Sequence, residues 1–295
     1  PLIGVLLIAC NPDTVSKAKP TNSPETPNEL NGFDLRNALV CADQILRGGP
    51  PRDGIPSIDK PRFVPPGEAN FMNDEDLVLA FGFGESARAY PFRILVWHEI
   101  VNDVVAGQPI AVTYCPLCAT AMLFARSLGD ETMRFGGSGL LHKSDMLMFD
   151  RESESLWSQL KMEAATGEHA GKKLKLLASQ QLTFKAWRTQ HPKGQVLSTK
   201  TGHKRNYGKN PYKGYDPSRG LMFPVGDVNS ALPRNEWVIG FFVDDQAFAV
   251  PEKLLPDEKR VTLKHGQQAL GIERNTSQRS VIVEADEVSI PHIRA

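Results

Sequence analysis

The stretch TYCPLCAT, residues 113–120, holds two of the four cysteines in this chain, Cys115 and Cys118. Two sulfurs three residues apart can meet on one metal ion or close on each other, so the pair is a candidate chelator, redox couple or staple. Two thiolates supply half of a tetrahedral shell, and no second Cys-x-x-Cys or short-spaced His pair completes a zinc ribbon. A further ligand has to come from elsewhere in the chain. His98, in WHEIVND, stands just ahead of the strand that leads into the pair and is the expected third ligand. Cysteines, an imidazole and a methionine from Met133, Met146, Met148 or Met162 make a soft donor set, which favours a copper ion. Glu99 is expected to orient the His98 ring through its second nitrogen.

The same residues allow two other readings. In a thiol-disulfide oxidoreductase Cys115 is attacked first, Cys118 resolves, and His98 lowers the pKa of the nucleophile. In a non-catalytic glycan- or peptide-binding module the pair is a structural disulfide, and Trp97, Trp157, Tyr207, Tyr212 and Tyr215 supply stacking surfaces. His142, in SGLLHKSD, reads as part of a solvated bend. Asp150 and Arg151 read as an ion pair within a turn.

The elements around the pair bear on its chemistry. PIAVTY is a strand leading in, and ATAMLFAR reads as a second strand ahead of the turn SLGDET. A long helix has no room to follow, so the first cysteine lacks the helix macrodipole that acidifies thioredoxin-like thiols. LVLAFGFGESARAYPFRIL, residues 77–95, aligns without a gap on WVIGFFVDDQAFAVPEKLL, residues 237–255. Each copy reads as a hairpin ended by a proline, with tips at Gly84-Glu85 and Asp244-Asp245. With a one-residue slip, GQPIAVTY matches GQQALGIE, which sets Lys259 near the position of His98 and Arg274 and Ser277 at those of the cysteines. The expected architecture is an internally duplicated scaffold with the thiols grafted onto its first copy.

FDLRNALVCADQIL spaces its apolar residues as a short amphipathic helix would, placing Cys41 in or beside it. TFKAWRTQHP reads as a short helix stopped by Pro192, and ALGIERNTSQRSVIVEAD as closing strands. The fold class expected is mostly β, a β-rich α+β fold of antiparallel hairpins with short helices. With 24 glycines and 22 prolines the chain suits short strands and many turns.

Lys plus Arg equals Asp plus Glu at 34 each, so no overall field draws nucleic acid. PLIGVLLIAC ends in Leu7-Ile8-Ala9-Cys10, which resembles a lipoprotein lipobox with Cys10 as the lipidated residue, in a signal lacking its basic leading region. Its apolar run is too short to span a bilayer, for which roughly 20 residues are needed. Residues 11–31 read as a flexible tether, and 32–295 as a globular β-rich domain with two similar lobes at about 70–130 and 230–290. The expectation is a lipid-anchored protein facing a periplasm or cell surface. Its partners would be the membrane, through Cys10, and a metal-exchanging or redox protein. No G-x-S-x-G, H-E-x-x-H, P-loop or dinucleotide fingerprint is present.

GGPPRDGIPSID, ARAYPFRILVWHEIVND, VTYCPLCATAMLFAR, FGGSGLLHKSDMLMFDRESESLWSQ, HPKGQVLSTKTGHKRNYGKNPYKGY and the FPV at 223–225 together resemble a bacterial and archaeal family catalogued as domain of unknown function 3179. The resemblance runs from about residue 38 to 255. It implies that Trp97, His98, Glu99, Asn102, Tyr114, Cys115 and Cys118 occupy characteristic positions, and that members are often secreted or lipid-anchored. It implies no activity. His142 departs from the aromatic or small polar residue more usual there.

Overall fold

The computed structural model describes residues 8–10, 28–215, 220–226, 231–233, 236–243, 246–265, 268–285 and 293–294. The tether expected at 11–31 falls outside the described residues except for its last four, and so does the tip at Asp244-Asp245. The fold is predominantly β with short helices, and its strand pairs are antiparallel apart from Gln195–Leu197 alongside Arg88–Pro91 and isolated bridges. No helix among the described residues is long and apolar enough to cross a membrane.

The segment that carries the cysteines is a three-stranded meander of Ile100–Val105, Gln108–Cys115 and Thr120–Ala125. Its last strand is buried along its whole length, which is why TAMLFA is a continuous apolar run and not an alternating one. Met122 and Phe124 face a cluster with Phe135, Met146, Met148 and Trp157. Ala121 and Leu123 face another with Tyr90, Leu95, Ile110, Val112 and Leu197. Burial of each such large side chain stabilises by about 1.5–3 kcal/mol, so the two cores hold the strand from opposite sides. The seven-residue helix Phe92–His98 lies directly ahead of this meander and delivers His98 and Glu99 to it.

Facing the meander is a five-stranded sheet in the order Glu163–Ala164, Leu156–Ser158, Asp145–Asp150, Phe135–His142, Ile45–Arg47. Its central strand Asp145–Asp150 is also buried throughout. The other five-stranded sheet includes the hairpin Leu77–Phe81 with Arg88–Pro91 and the strand Gln180–Thr183. Thr183 then caps the helix Phe184–Gln190, its Oγ1 accepting from the amide of Ala186 at 3.2 Å.

The same order of elements recurs 160 positions on. Val78 pairs Pro91 as Val238 pairs Pro251, Val105 pairs Gln108 as His265 pairs Gln268, and Cys115 pairs Thr120 as Asn275 pairs Ser280. The offset holds without the one-residue slip expected from the sequence. Asn275 and Gln278 are therefore the counterparts of Cys115 and Cys118, in place of Arg274 and Ser277. Ala119 and Arg279 share the left-handed conformation at the end of the turn, with φ of 48° and 51°. That backbone forms with or without sulfur.

Three local expectations fail for identifiable reasons. The segment 35–46 forms only a 3-10 turn at Ala42–Gln44 before the strand Ile45–Arg47. Leu35 and Ile45 enter the core while Leu39 is 59% exposed, so the apolar residues share no helical face. Pairing of Ile45–Arg47 with Leu140–His142 decides the conformation instead. His142 is buried at the end of its strand and is not in a solvated bend. Asp150 accepts from Trp157 Nε1 at 2.8 Å and from Ser153, while Arg151 forks onto Asp53 at 2.7 and 2.9 Å.

Candidate dithiol and carboxyl site

Two hairpin tips meet at the site. The first is the Cys115–Thr120 turn. The second is Lys143-Ser144, a two-residue tip between His142 and Asp145, both members of which hold positive φ, 52° and 63°. Two-residue hairpins of this kind match the twist of their strands, which makes the placement of the following Asp145 rigid. Ser144 Oγ donates to the Phe223 carbonyl at 3.0 Å, and Ser144 O lies 3.8 Å from Cys115 Sγ. Cys115, Cys118 and Asp145 each bring a ligating atom within 4.8 Å of the others.

The three groups differ in access. Cys115 is 1% exposed and Asp145 4% exposed, whereas Cys118 is half-buried, and both thiols are free. Asp145 Oδ2 accepts from Ser158 Oγ at 2.6 Å and from the Leu160 amide at 3.2 Å. Its Oδ1 has no hydrogen-bond partner among the described residues. Burial raises the carboxyl to a pKa of about 7, against the hydrogen bonds from Ser158 and Leu160 that lower it. The neighbouring Cys115 thiol and burial push the Cys118 thiol well above its ordinary range. Asp145 and Cys118 are thus both harder to ionise than in water.

Cys115 also lines a cavity of about 50 Å³, with Glu99, Leu117, Met146 and Tyr212 among its other walls. A void of that size accommodates a water or two beside polar walls. Glu99 Oε1 accepts from Tyr212 Oη at 3.3 Å, and burial raises its pKa to about 7. Tyr215 Oη reaches the Leu117 carbonyl at 3.5 Å, so the loop carrying both tyrosines packs directly over the Cys-x-x-Cys turn.

Residues 52–293 match a family described as "Protein of unknown function (DUF3179)". The chain belongs to this family. No curated protein and no solved structure matches it.

Within this DUF3179 chain the expected site residues divide. Cys115 and Cys118 lie together as expected, but the third group is Asp145 and not His98. His98 Nδ1 lies 2.8 Å from the Pro56 carbonyl and Nε2 lies 2.7 Å from Tyr207 Oη. A carbonyl only accepts, so Nδ1 carries the proton and donates, Nε2 accepts from Tyr207, and Thr201 Oγ1 donates to Tyr207 across 2.6 Å. Both ring nitrogens are thus engaged. Burial lowers the His98 pKa to about 4, so the ring is neutral. Glu99 does not orient it, since its carboxylate turns to Tyr212. Trp97 Nε1 donates to the Lys209 carbonyl at 2.9 Å, and Tyr114 packs tilted against Phe92 with ring centroids 4.9 Å apart. Trp157 is sealed in the core, beyond reach of any sugar, and Cys10 ends the short strand Ile8–Cys10 opposite Ala247.

Asn102 staples the meander to the facing sheet. Its Nδ2 donates to Asp59 at 2.7 Å and to the Phe135 carbonyl at 2.8 Å, while its Oδ1 accepts from the Phe135 amide at 2.9 Å. Asn102→Ala leaves a buried amide and carbonyl unpartnered, and the expected loss of stability is about 2–4 kcal/mol. Urea unfolding of the two proteins measures it; a change within ~0.5 kcal/mol would show that the staple is dispensable.

Sequence reasoning missed Asp145. The available signal was the strand DMLMFD, in which two acids bound a run of four apolar residues. A strand buried on both faces carries its end residues into the interior, so an acid there is buried with it.

Proposed function

We propose that this protein exchanges disulfides with a partner through Cys118 and Cys115, with Asp145 carrying the proton. The observation that supports this reading is the grouping of two free thiols, one of them on a half-buried residue, with a buried carboxyl one of whose oxygens is unpartnered. Cys118 gives up its proton and its sulfur attacks a disulfide R–S–S–R′, forming a Cys118–S–S–R bond and releasing R′–S⁻, which is protonated. Ionised Asp145 takes the proton of Cys115. The Cys115 sulfur then attacks Cys118 Sγ, closing the Cys115–Cys118 bond and releasing R–S⁻, which takes the proton from Asp145 and leaves the carboxylate ionised again. Two electrons and two protons pass from the protein dithiol to the partner, which leaves as two thiols. The order of attack is the reverse of the one expected from sequence, because Cys118 is the more exposed residue of the pair.

The reduced protein, in a Cys10→Ser, Cys41→Ser background, is expected to react with hydroxyethyl disulfide and lose two hydrogen masses as the internal bond closes. Failure of either thiol to react in the folded protein would end the reading. We further propose that the site faces a periplasm or cell surface, on the strength of the Leu7–Cys10 lipobox and the polar composition of residues 11–31.

A second reading keeps the site and changes its occupant. The bare Asp145 oxygen beside two sulfurs is also a ligand set for one divalent cation, held by Cys115, Cys118 and Asp145. A carboxylate in place of the expected imidazole makes this set harder, and better suited to zinc than to copper(I). Elemental analysis of anaerobically purified protein separates the two readings: about one equivalent of metal, with thiols that do not titrate, favours the cation.

A further inference from the structure

Between Glu168 and Asp216 the chain carries eleven lysines and arginines and no aspartate or glutamate, in a protein whose overall charge is zero. The fold brings part of this segment to the dithiol. Tyr207, Tyr212 and Tyr215 point their hydroxyls inward to His98, Glu99 and the Leu117 carbonyl, which turns Lys204, Arg205, Lys209 and Lys213 outward to solvent. None of these four forms an ion pair among the described residues.

A groove of about 450 Å³ runs along this loop, walled by Trp97, Lys204, Arg205, Asn206, Pro211 and Tyr212. It shares Pro50, Ile55 and Tyr212 with the cavity that Cys115, Pro116 and Leu117 line, so an occupant of the groove lies beside the turn that carries both cysteines. Next along the surface, a second hollow of about 550 Å³ adds Lys60, Arg62, Lys200 and His203. Its acids, Asp53 and Asp59, are already engaged by Arg151, Ser57 and Asn102. The rim of the site is thus cationic over the length of a peptide, with an aromatic floor.

Resting on the disulfide-exchange reading, we propose that the partner delivers its disulfide on an acidic peptide segment that lies in this basic groove. Opposite charge raises the rate of encounter and fixes orientation, and a cleft with low-dielectric walls concentrates the field. A peptide fits better than a small anion because four exposed cations are spread along ten residues of loop without converging on one point.

The test uses the full chain in the background lacking Cys10 and Cys41. Rates of thiol oxidation are measured with anionic glutathione disulfide, neutral hydroxyethyl disulfide and cationic cystamine. The glutathione-to-cystamine ratio, normalised to a free-thiol reference, is expected to exceed about tenfold at low ionic strength and to fall toward one at about 0.5 M salt. It is expected to invert in Lys204→Glu/Arg205→Glu/Lys209→Glu and to stay in place in Lys185→Glu, whose residue lies exposed on the helix Phe184–Gln190. A ratio near one at low salt, or one that the triple variant does not move, overturns the proposal. Loss of reaction with the neutral disulfide in the unmodified protein instead overturns the exchange reading. In that case the groove is read by fluorescence anisotropy of a glutamate-rich decapeptide: binding lost in the triple variant upholds the groove, and no binding sinks it. Tighter binding of single-stranded DNA or anionic vesicles than of the acidic peptide would also overturn it.

Discussion

Cys118→Ser is expected to remove disulfide exchange altogether, by a factor of roughly 10³ or more, whereas Cys115→Ser is expected to trap the partner on the protein. The asymmetry follows from access. A partner disulfide must approach along the axis of the bond being broken, and a sulfur that is 1% exposed offers no such path. Cys118, half-buried at the end of the turn, is the more exposed residue of the pair and the one a small opening of the turn would uncover. With Cys115 intact, the internal attack follows quickly, because the two sulfurs already lie within 4.8 Å and need only close to about 2.05 Å. With serine at 115 the mixed disulfide has no resolving thiol. Intact-mass spectrometry after exposure to hydroxyethyl disulfide should then find one adduct on Cys118 and no internal bond. An adduct on Cys115 in the Cys118→Ser protein, at a comparable rate, would restore the order expected from sequence and show that the buried sulfur is reached by a motion of the turn. A cation site predicts a third pattern, in which either serine variant lowers metal content and neither alters reactivity once metal is removed.

The hairpins were legible because their information is local. Alternating and continuous apolar runs, a proline at each hairpin's end and the short CPLC connection all act within a few residues, and the strands Gln108–Cys115 and Thr120–Ala125 follow from them. The third member of the site was not legible by the same means. His98 is adjacent in sequence to the meander, yet its Nε2 is claimed by Tyr207, 109 residues away, and its Nδ1 by a carbonyl in the proline-rich loop. Nothing within the WHE segment announces those partners. Asp145 reaches the sulfurs through the juxtaposition of two hairpin tips, a tertiary fact carried by strand register and by the positive φ of Lys143 and Ser144. The failed helix at 35–46 has the same cause. A helical spacing of leucines is a weak preference, and pairing of Ile45–Arg47 with a buried strand outweighs it.

The recurrence at 160 positions sharpens what the cysteines are for. The turn that closes Gln268–Asn275 onto Ser280–Ala285 keeps the backbone of the cysteine turn, including its left-handed final residue, with Asn275 and Gln278 in place of sulfur. Thiols are therefore not needed to build this turn. In the first copy they coincide with a carboxyl whose pKa burial raises to about 7 and with a loop of three inward-facing tyrosines. A turn backbone that recurs without sulfur can carry a site at one of its two places without depending on it to form.

Asp145→Asn should have opposite effects on stability and reactivity, and their pH dependence is the diagnostic. The native carboxyl titrates near pH 7 and the unfolded one near 3.8, so between those values the folded protein holds a proton that the unfolded chain has released. Stability from this group is accordingly full below pH 3.8, declines as pH rises through the window, and levels off above about 7. A displacement of about three pH units corresponds to roughly 4 kcal/mol, taken as an upper figure. Asparagine keeps an acceptor for Ser158 and Leu160 and carries no charge at any pH. The difference between variant and parent unfolding free energies should therefore rise in the variant's favour from pH 4 to pH 7, while the contribution of Glu99, common to both, cancels. Reactivity moves the other way. Without a carboxylate to receive the Cys115 proton, closure of the internal disulfide at pH 7 should slow by roughly 10²-fold, and the midpoint of its pH profile should shift upward toward that of an unaided thiol. Denaturant unfolding at several pH values and stopped-flow closure of the mixed disulfide read the two effects separately. A parallel pH dependence of stability in both proteins would mean that Asp145 is charged in the native state, which at that depth requires a bound cation, and would transfer the site from proton transfer to metal binding.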